Sequence, residues 1–448
     1  MPHDSTPHLS QLASLITSAK KAGADAADAI LVKSTSLSAI LRLDQTERVE
    51  RSESADLGLR VFVGQRMAIV SSADQSQSAL DAMVERAVAM ARAVPEDPYA
   101  GLAEPDDIVD QVPAIDLVDE NEPSAEVLIA RARDAEQAAL AVPGVTNSEA
   151  ADASWGRTEI SLAGSNGFGG SYARTGSSIV ASMVAGEGTG METDYDFTSA
   201  VFAEDLKDAA EVGRGAGERA VARLNARKAD TARIPVVFDP RVANSLLQHL
   251  TSAISGPAIA RGTSFLKDRL DQSVFASGIS IVDDPHRPRG LRSKPFDAEG
   301  LANRRRAFIE DGRLTSWVMD LASARQLGLR STGNAARSTS SPPRPSITNL
   351  YLEPGATSRD DLIGAVDKGL YVTQMMGHGI NMVTGDYSRG ASGFWIENGE
   401  LTYPVNEVTV AGNLVEMFAN LAPANDLSFH YGIDSPTVRI DGMTVAGK

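Results

Sequence analysis

The segment VERSESADLGLRVFVG at residues 49–64 lies between two further runs of strand-forming residues, AILVKSTSLSAILRL at 29–43 and QRMAIVSSA at 65–73. Alternating polarity and β-branched side chains are typical of strands, so three consecutive strands are predicted. Apolar residues then recur every three or four positions, which predicts a helix at about 76–93. Strands therefore cluster along the chain instead of alternating one by one with helices.

The same grouping continues towards the C-terminus. Helices are predicted at about 124–141 and 203–227, with strands near 145–153, 155–164 and 168–186 between them. The expected parts are an N-terminal α+β unit, an acidic proline-rich linker, a middle α+β unit and a β-rich C-terminal domain: residues 1–95, 96–123, 124–230 and 234–448.

Short turn signals dominate the last part. Asp311-Gly312 and Asn398-Gly399 each lie between apolar runs, which is a strong hairpin pattern, and a turn is also expected at Asp441-Gly442. A helix is predicted at about 240–255, after the strand at 234–238. The fold class is therefore α+β: N-terminal α/β units with mixed or antiparallel sheets, then a β-rich domain with a few helices, rather than a doubly wound parallel fold.

Composition narrows the functional classes. The 448 residues carry a net charge of −17 and contain no cysteine. A negative field repels phosphate backbones, so nucleic acid is not an expected partner, and thiol chemistry and disulfides are excluded. The N-terminal sequence has no signal-peptide pattern and no apolar run is long enough for a membrane span, so a cytoplasmic protein without a membrane partner is expected.

Motifs for known catalytic centres are absent from the sequence. None of the six histidines pairs with another at the spacing of a zinc hydrolase helix. Neither a phosphate-binding GxxxxGK[ST] loop nor a GxSxG nucleophile elbow occurs. No catalytic residue, no metal site and no cofactor is expected of this chain.

The glycine-rich segment at 375–399 is the densest group of polar residues. Glycines let a backbone approach a ligand closely, so His378, Asn381, Asp386 and Arg389 are candidates for binding a peptide or a partner. A well-hydrogen-bonded structural loop explains the same residues equally well. The sequence leaves both interpretations open.

The segment VTGDYSRGASGFWIENGELTYPVNEVTVAGNL at 383–414 resembles the C-terminal signature of the TldD/PmbA family, in its PmbA (TldE) branch. Residues 48–74 resemble the N-terminal unit of that family, and residues 174–180 and 191–200 the middle one. The resemblance implies a cytoplasmic peptidase system that acts on small or unfolded peptides. In it, TldD carries a zinc-binding HExxxH helix and a downstream cysteine ligand, whereas the PmbA branch lacks these ligands and pairs with TldD.

Position by position, the resemblance implies that the metal ligands are lost here. Gln248 stands where the first histidine would be, His249 at the glutamate base, and Ala253 at the second histidine. Alanine is also found at position 391, near which the cysteine would lie. The resemblance thus implies a zinc-free, non-catalytic subunit that forms a heterodimer with a zinc-bearing TldD-type paralogue and shapes its substrate chamber.

An alternative function remains open at this point. The chain could act alone as a homodimer that binds peptides or regulates another protein, without peptidase activity. Under either hypothesis it is a metallopeptidase-family member that is expected to be inactive by itself, because it lacks the zinc ligands.

Overall fold

The computed structural model describes residues 6–447. Its α-helices are α1 Thr6–Lys21, α2 Gln77–Ala93, α3 Ala125–Leu140, α4 Ala209–Ala222, α5 Pro240–Ala253, α6 Gly256–Ala260, α7 Leu321–Leu327, α8 Arg359–Gly364 and α9 Leu414–Ala419. Its strands are β1 Ala26–Arg42, β2 Gln45–Val63, β3 Arg66–Ser72, β4 Val145–Gly164, β5 Gly169–Ala185, β6 Glu192–Ala200, β7 Ala232–Phe238, β8 Ile281–Asp283, β9 Arg306–Glu310, β10 Arg313–Leu314, β11 Ala335–Ala336, β12 Arg344–Pro345, β13 Leu350–Leu352, β14 Lys368–Ile380, β15 Asp386–Glu397, β16 Glu400–Asn413, β17 Leu421–Pro423, β18 Ile433–Asp434 and β19 Val438–Ala446.

The first six strands form one antiparallel sheet in the order β3-β2-β1-β4-β5-β6. The two α+β units expected from the sequence therefore share a sheet, joined where β1 pairs with β4. Helices α1 and α2 cover one end of a single face of this sheet, and α3 and α4 cover the other end. Alanine and leucine on alternate positions, such as Ala29 and Leu31, bury that face.

The second face of this sheet packs against the C-terminal domain. A side chain at Gly58 of β2 would bring its Cβ to 2.1 Å from the carbonyl oxygen of Thr339. Only glycine allows the two backbones to approach this closely. The N-terminal sheet is therefore packed on both faces along part of its length.

Two boundaries differ from the sequence prediction. β4 is one strand, because its ladders with β1 and β5 both continue through Ser154, where the sequence indicated a break. The helix predicted at 203–227 is shorter, since the Asp208 side chain accepts hydrogen bonds from the first amides of α4 and starts the helix there. The strand β6 was not predicted.

The C-terminal domain contains a sheet in the order β16-β15-β14-β7-β19-β17, and β16 also pairs with β19. These strands therefore close on themselves, with β7 parallel to β14 and the other pairs antiparallel. A smaller sheet has the order β10-β9-β8-β13-β18. The predicted α+β class with a β-rich C-terminal domain is confirmed.

Two of the three turns predicted for this domain are present in the structure. Asp311 and Gly312 have φ of 48° and 78°, and Asn398 and Gly399 have 52° and 81°, as two-residue hairpin turns require. The prediction of a turn at Asp441-Gly442 is wrong. β19 continues through it, and a register shift between Ile440 and Met443 absorbs the positive φ of Gly442 as a bulge.

The proline-rich segment at 96–123 runs over the surface and is tied to both halves of the molecule. The amide of Thr175 on β5 donates to the carbonyl of Leu117, and the amide of Val109 donates to the carbonyl of Gly300 in the C-terminal domain.

No helix within residues 6–447 is both long and apolar enough to cross a bilayer.

Candidate functional site

Helix α5 carries Gln248, His249 and Ala253, the three positions that the sequence resemblance assigned to a metal motif. It begins after β7, where the Asp239 side chain accepts the amide hydrogen of Arg241 at 2.9 Å and Pro240 occupies the first turn. Val242, Leu246 and Leu250 bury one side of the helix. The helix is thus fixed by its cap and by an apolar face.

The three motif positions have different surroundings. Gln248 is exposed, His249 is half-buried, and Ala253 is fully buried. Ala253 lies four residues after His249, so both face the same side of the helix.

Tyr387 of β15 packs against His249, with the ring centroids 5.9 Å apart in an edge-on arrangement. The Nε2 of His249 and the hydroxyl of Tyr387 are both buried without a hydrogen-bond partner in the described part of the chain. Burial, with a smaller contribution from the Arg389 guanidinium, lowers the pKa of His249 to about 4, and burial raises the pKa of Tyr387 to about 12. Both side chains are therefore neutral at pH 7.

Ala391 lies on β15, four residues beyond Tyr387. Strand alternation places Tyr387, Arg389 and Ala391 on one face, and Ala391 is fully buried between Met375 and Val408 on the neighbouring strands. Ala253 and Ala391 belong to the same apolar core. The two positions are filled by packing rather than left as a polar pocket.

These residues do not fit a zinc ion. Zinc is held by imidazole, thiolate or carboxylate groups, and the methyl groups of Ala253 and Ala391 offer no donor atom. Across residues 6–447, no group of three or more His, Cys, Asp or Glu side chains converges as a metal site.

The β14–β15 hairpin carries the four residues singled out by the sequence. Asn381 and Asp386 come together in the connecting loop, where the amide of Asn381 donates to the carbonyl of Asp386 at 2.8 Å. The Asn381 Oδ1 accepts the amide of Val383, and the Asp386 carboxylate accepts the hydroxyl of Thr384 at 2.6 Å. Both side chains thus hold the loop in shape.

His378 and Arg389 lie on the strands of that hairpin. His378 is exposed on β14 and makes no hydrogen bond with the other three within the described residues. The Nε of Arg389 donates to the carbonyl of Gly377 at 3.0 Å, and its charge acts on His249. Arg389 therefore connects the hairpin to the α5 site, whereas the structure does not join His378 to it.

Sequence reasoning did not single out two features of this region. Tyr387 was one polar residue among many in the glycine-rich segment, and only the fold shows that it packs on His249. Met376 and Val383 are 57% and 58% exposed at the end of the hairpin. Their signal was present as apolar residues in a polar, glycine-rich context.

The whole chain is similar to known proteins. Family models for the PmbA/TldA metallopeptidase match it as domain 1 at residues 27–91, as the central domain at 119–224 and as the C-terminal domain at 231–447. Metalloprotease PmbA of Escherichia coli O157:H7 is 36% identical over 95% of this chain and 93% of its own. The PmbA homologue of Haemophilus influenzae is 37% identical over 96% and 94%.

Solved structures agree with this result. A crystal structure of a protein from Bacteroides thetaiotaomicron has a TM-score of 0.92 at 27% identity and covers 100% of both chains. The TldE structure from Thermococcus kodakarensis, at 20% identity, shares the fold with a TM-score of 0.88 and covers 98% of this chain and 100% of its own. The TldD homologue of Buchnera aphidicola (strain APS) matches at 26% identity over 58% of each chain. Because the matching models and the long PmbA alignments span the chain, this protein belongs to the PmbA/TldA metallopeptidase family, in its PmbA (TldE) branch.

Proposed function

We propose that this chain is the zinc-free, non-catalytic subunit of a cytoplasmic TldD/TldE-type peptidase that degrades or processes small or unfolded peptides. Its partner is a zinc-bearing TldD-type paralogue, and together they form the substrate chamber. The observation that carries the proposal is the state of the α5 site. The helix is kept in place, yet Ala253 and Ala391 are fully buried where donor atoms would be needed.

His249 supports the same conclusion. The resemblance assigns it to the position of the general base, but burial and the nearby Arg389 lower its pKa to about 4. A general base works best when its pKa lies near the working pH. At neutral pH this imidazole is a weak base, and its Nε2 is closed off from solvent. It is suited to packing against Tyr387.

The β14–β15 hairpin is proposed as the surface that contacts the partner. Met376, near the end of β14, and Val383, in the loop that follows it, expose more than half of their surface. The Asn381 and Asp386 hydrogen bonds hold this end in one shape before binding, which reduces the entropy lost on association. A preformed apolar tip next to the α5 site suits a protein interface that also encloses a peptide.

Roles for the four hairpin residues follow from their contacts. Asn381 and Asp386 are proposed as positioning residues for the docking tip. His378, which is exposed, and Arg389, which is half-buried beside the α5 site, are proposed to contact peptide or partner. Peptide main chain is sequence-tolerant as a ligand, which fits a system for varied peptides.

The test reconstitutes the pair. The chain is purified alone and together with a zinc-bearing TldD-type paralogue, and mass is measured by light scattering alongside cleavage of an unstructured peptide. We expect a mixed complex that cleaves, and no cleavage by this chain alone. The double variant Met376→Glu/Val383→Glu should prevent the mixed complex. Leu329→Glu, which is 45% exposed elsewhere, is the matched control and should not.

Two results would contradict the proposal. A homodimer that forms no mixed complex would favour a stand-alone peptide-binding or regulatory protein. Stoichiometric zinc with chelator-sensitive cleavage by the isolated chain would show that the catalytic site lies within this subunit.

A further inference from the structure

The outer edge of the N-terminal sheet is open along more than half of β2. Strand β3 pairs only with residues 57–63 of β2, and residues 45–56 have β1 as their only neighbouring strand within residues 6–447. Every residue from 45 to 54 is exposed to solvent. A strand edge of this length presents a row of N–H and C=O groups that another strand can pair with.

The backbone groups that point outward are those of the odd-numbered residues. Successive residues of a strand turn their N–H and C=O groups to opposite edges. The carbonyl of Phe62 accepts the amide hydrogen of Asp25, the residue before β1, so the even-numbered residues of β2 face β1. The ladder with β1 is regular from Phe62 back to Arg48. Val49 and Arg51 therefore offer their N–H and C=O groups to an added strand.

The side chains along this edge have a self-complementary charge pattern. The run Glu47-Arg48-Val49-Glu50-Arg51 gives the same order of charges when it is read backwards with the signs exchanged. In an antiparallel pair with a second copy, centred on Val49, each glutamate of the run therefore lies opposite an arginine. Opposite charges on facing positions stabilise a strand pair, and like charges destabilise it. Two-fold symmetry produces each of these pairs twice.

Neighbouring registers fit less well. Two identical antiparallel strands related by a two-fold axis have one residue that faces its own copy. Moving that centre by one residue puts either Arg48 or Glu50 opposite itself, which brings like charges together. A centre at Ser52 avoids such pairs, but it places the tip of the second copy's β1–β2 hairpin beside Leu57 and the residues after it, which β3 already pairs. With Val49 at the centre, each tip ends before β3 of the other copy begins.

The ion pairs already present on this edge are weak. Arg48 contacts Glu50 of the same strand, and each of these side chains is more than 45% exposed. Arg51 contacts Glu53 and Glu122, whose side chains are 65% and 45% exposed. Exposed ion pairs contribute little, and a guanidinium has five N–H donors. Each arginine can therefore contact a second carboxylate that the other copy supplies.

The added ladder is short, so the contact is expected to be weak. The pairing of β2 with β1 shifts register between Arg48 and Thr46, which leaves Glu47 as an extra residue in a bulge. The regular part of the new pairing is therefore centred on residues 48–51, where the 45% exposed side chain of Val49 is covered by its own copy. An interface this small suits a dissociation constant on the order of 10–100 μM.

We propose that two copies of this chain associate through the outer edges of β2, antiparallel and centred on Val49, which joins their N-terminal sheets into one. Met376 and Val383 lie on the β14–β15 hairpin of the C-terminal domain, outside this surface. The self-association therefore leaves that hairpin for the partner proposed above, and the two proposals are tested separately.

Sedimentation equilibrium of the purified full-length chain tests it, at concentrations from about 1 to 200 μM, on both sides of the expected dissociation constant. We expect the average mass to rise with concentration from 47.2 kDa towards twice that value. Met376→Glu/Val383→Glu changes only the β14–β15 hairpin and should leave the dissociation constant within about twofold of the parent.

A charge reversal and its compensation locate the register. Glu50→Arg brings two positive charges together at both symmetry-related positions, so the dissociation constant should rise about tenfold or more. Arg48→Glu/Glu50→Arg exchanges the two charges and should return the dissociation constant to within about threefold of the parent. Glu53→Arg is the matched control on the same strand. It faces the uncharged Gln45 of the second copy and should change the dissociation constant by about threefold or less.

Three results would overturn the proposal. These are a chain that stays at the monomer mass throughout the concentration range, a Glu50→Arg chain with the parental dissociation constant, or a double charge exchange as weak as Glu50→Arg alone. Glu53→Arg as damaging as Glu50→Arg would overturn the register centred on Val49. Loss of self-association in Met376→Glu/Val383→Glu would place the contact on the β14–β15 hairpin instead. Circular dichroism checks that each variant is folded like the parent.

Discussion

Two regions of this molecule each bury polar groups without partners, and they resolve the problem differently. Between α5 and β15, His249 and Tyr387 leave a ring nitrogen and a hydroxyl unpaired within residues 6–447. At the seam between the N-terminal sheet and the C-terminal domain, Arg337 leaves two N–H groups without an acceptor in the same part of the chain. The first pair can become neutral, and burial keeps it so at pH 7. An arginine cannot, so Arg337 stays charged beside Asp28.

The two regions therefore differ in what each buried group needs from its surroundings. A neutral orphaned group costs a lost hydrogen bond, which surrounding apolar packing can tolerate. A buried guanidinium stays charged, so it depends on the carboxylate beside it, which here is Asp28. The α5 site thus has the character of a filled core, and the seam that of an ion cluster held together by one carboxylate.

Asp28→Asn tests how much the ion cluster at the seam contributes to stability, and it has the largest expected effect. The change leaves two buried guanidinium groups, those of Arg60 and Arg337, without their carboxylate, and we expect the chain to lose about 3–5 kcal/mol of stability. Urea denaturation measures it. Asp44→Asn removes the partner of Arg133 from an ion pair that is mostly exposed and should cost under about 1 kcal/mol. Equal losses in the two variants would mean that the seam charges are not coupled.

Gly58→Ala tests how tightly the seam is closed. Its Cβ would lie 2.1 Å from the carbonyl oxygen of Thr339, so one backbone must shift, at a cost of about 1–3 kcal/mol. Gly176→Ala in β5, where nothing lies within 4 Å of the new methyl group, is the control and should change stability by about 0.5 kcal/mol or less. Thermal unfolding compares them. If Gly58→Ala unfolds at the same temperature as the parent chain, the two domains do not pack this closely.

The neutral character of the α5 site is tested by pH. The pKa of His249 lies at about 4 in the folded chain and near 6.5 when unfolded, so the unfolded chain binds more protons between these values. Stability from the neutral imidazole is complete above pH 6.5 and is lost as the pH falls towards 4. At about 1.4 kcal/mol per unit of pH, roughly 2 kcal/mol is lost by pH 5. His249→Leu should reduce this slope in urea titrations from pH 7 to 4. An unchanged slope would place the titration elsewhere.

Tyr387→Phe gives the smallest expected effect. Within the described residues the hydroxyl it removes is buried without a hydrogen bond of normal geometry, although the Arg389 guanidinium lies close to it, so stability should rise by up to about 1 kcal/mol. Tyr371→Phe is the matched change, because that hydroxyl donates to Asp239 at 2.7 Å, and it should lower stability by about 1 kcal/mol. The melting temperatures of the two variants are compared with that of the parent chain. A lower melting temperature in Tyr387→Phe would mean that Arg389 donates a hydrogen bond to this hydroxyl.

Local patterns in the sequence were enough to predict α5 and the turns at Asp311 and Asn398, since caps and turn residues act within a few positions. They failed at Gly442, because a glycine in a bulge and a glycine in a turn share the same positive φ. The ion cluster could not be predicted at all. Asp28 and Arg337 are 309 residues apart, and nothing local marks them as partners.

The pairing of β1 with β4 has a consequence for how the chain is made. The amide of Ala27 donates to the Ser165 side chain, 138 residues later. At synthesis rates of roughly 5–20 residues per second, β1 spends about 7 to 28 s on the ribosome before its second neighbour exists. During that time only β2 covers it, and its other edge is open to strands from neighbouring nascent chains. The first sheet of this protein is therefore completed late, and its vulnerable period is set by translation rather than by folding.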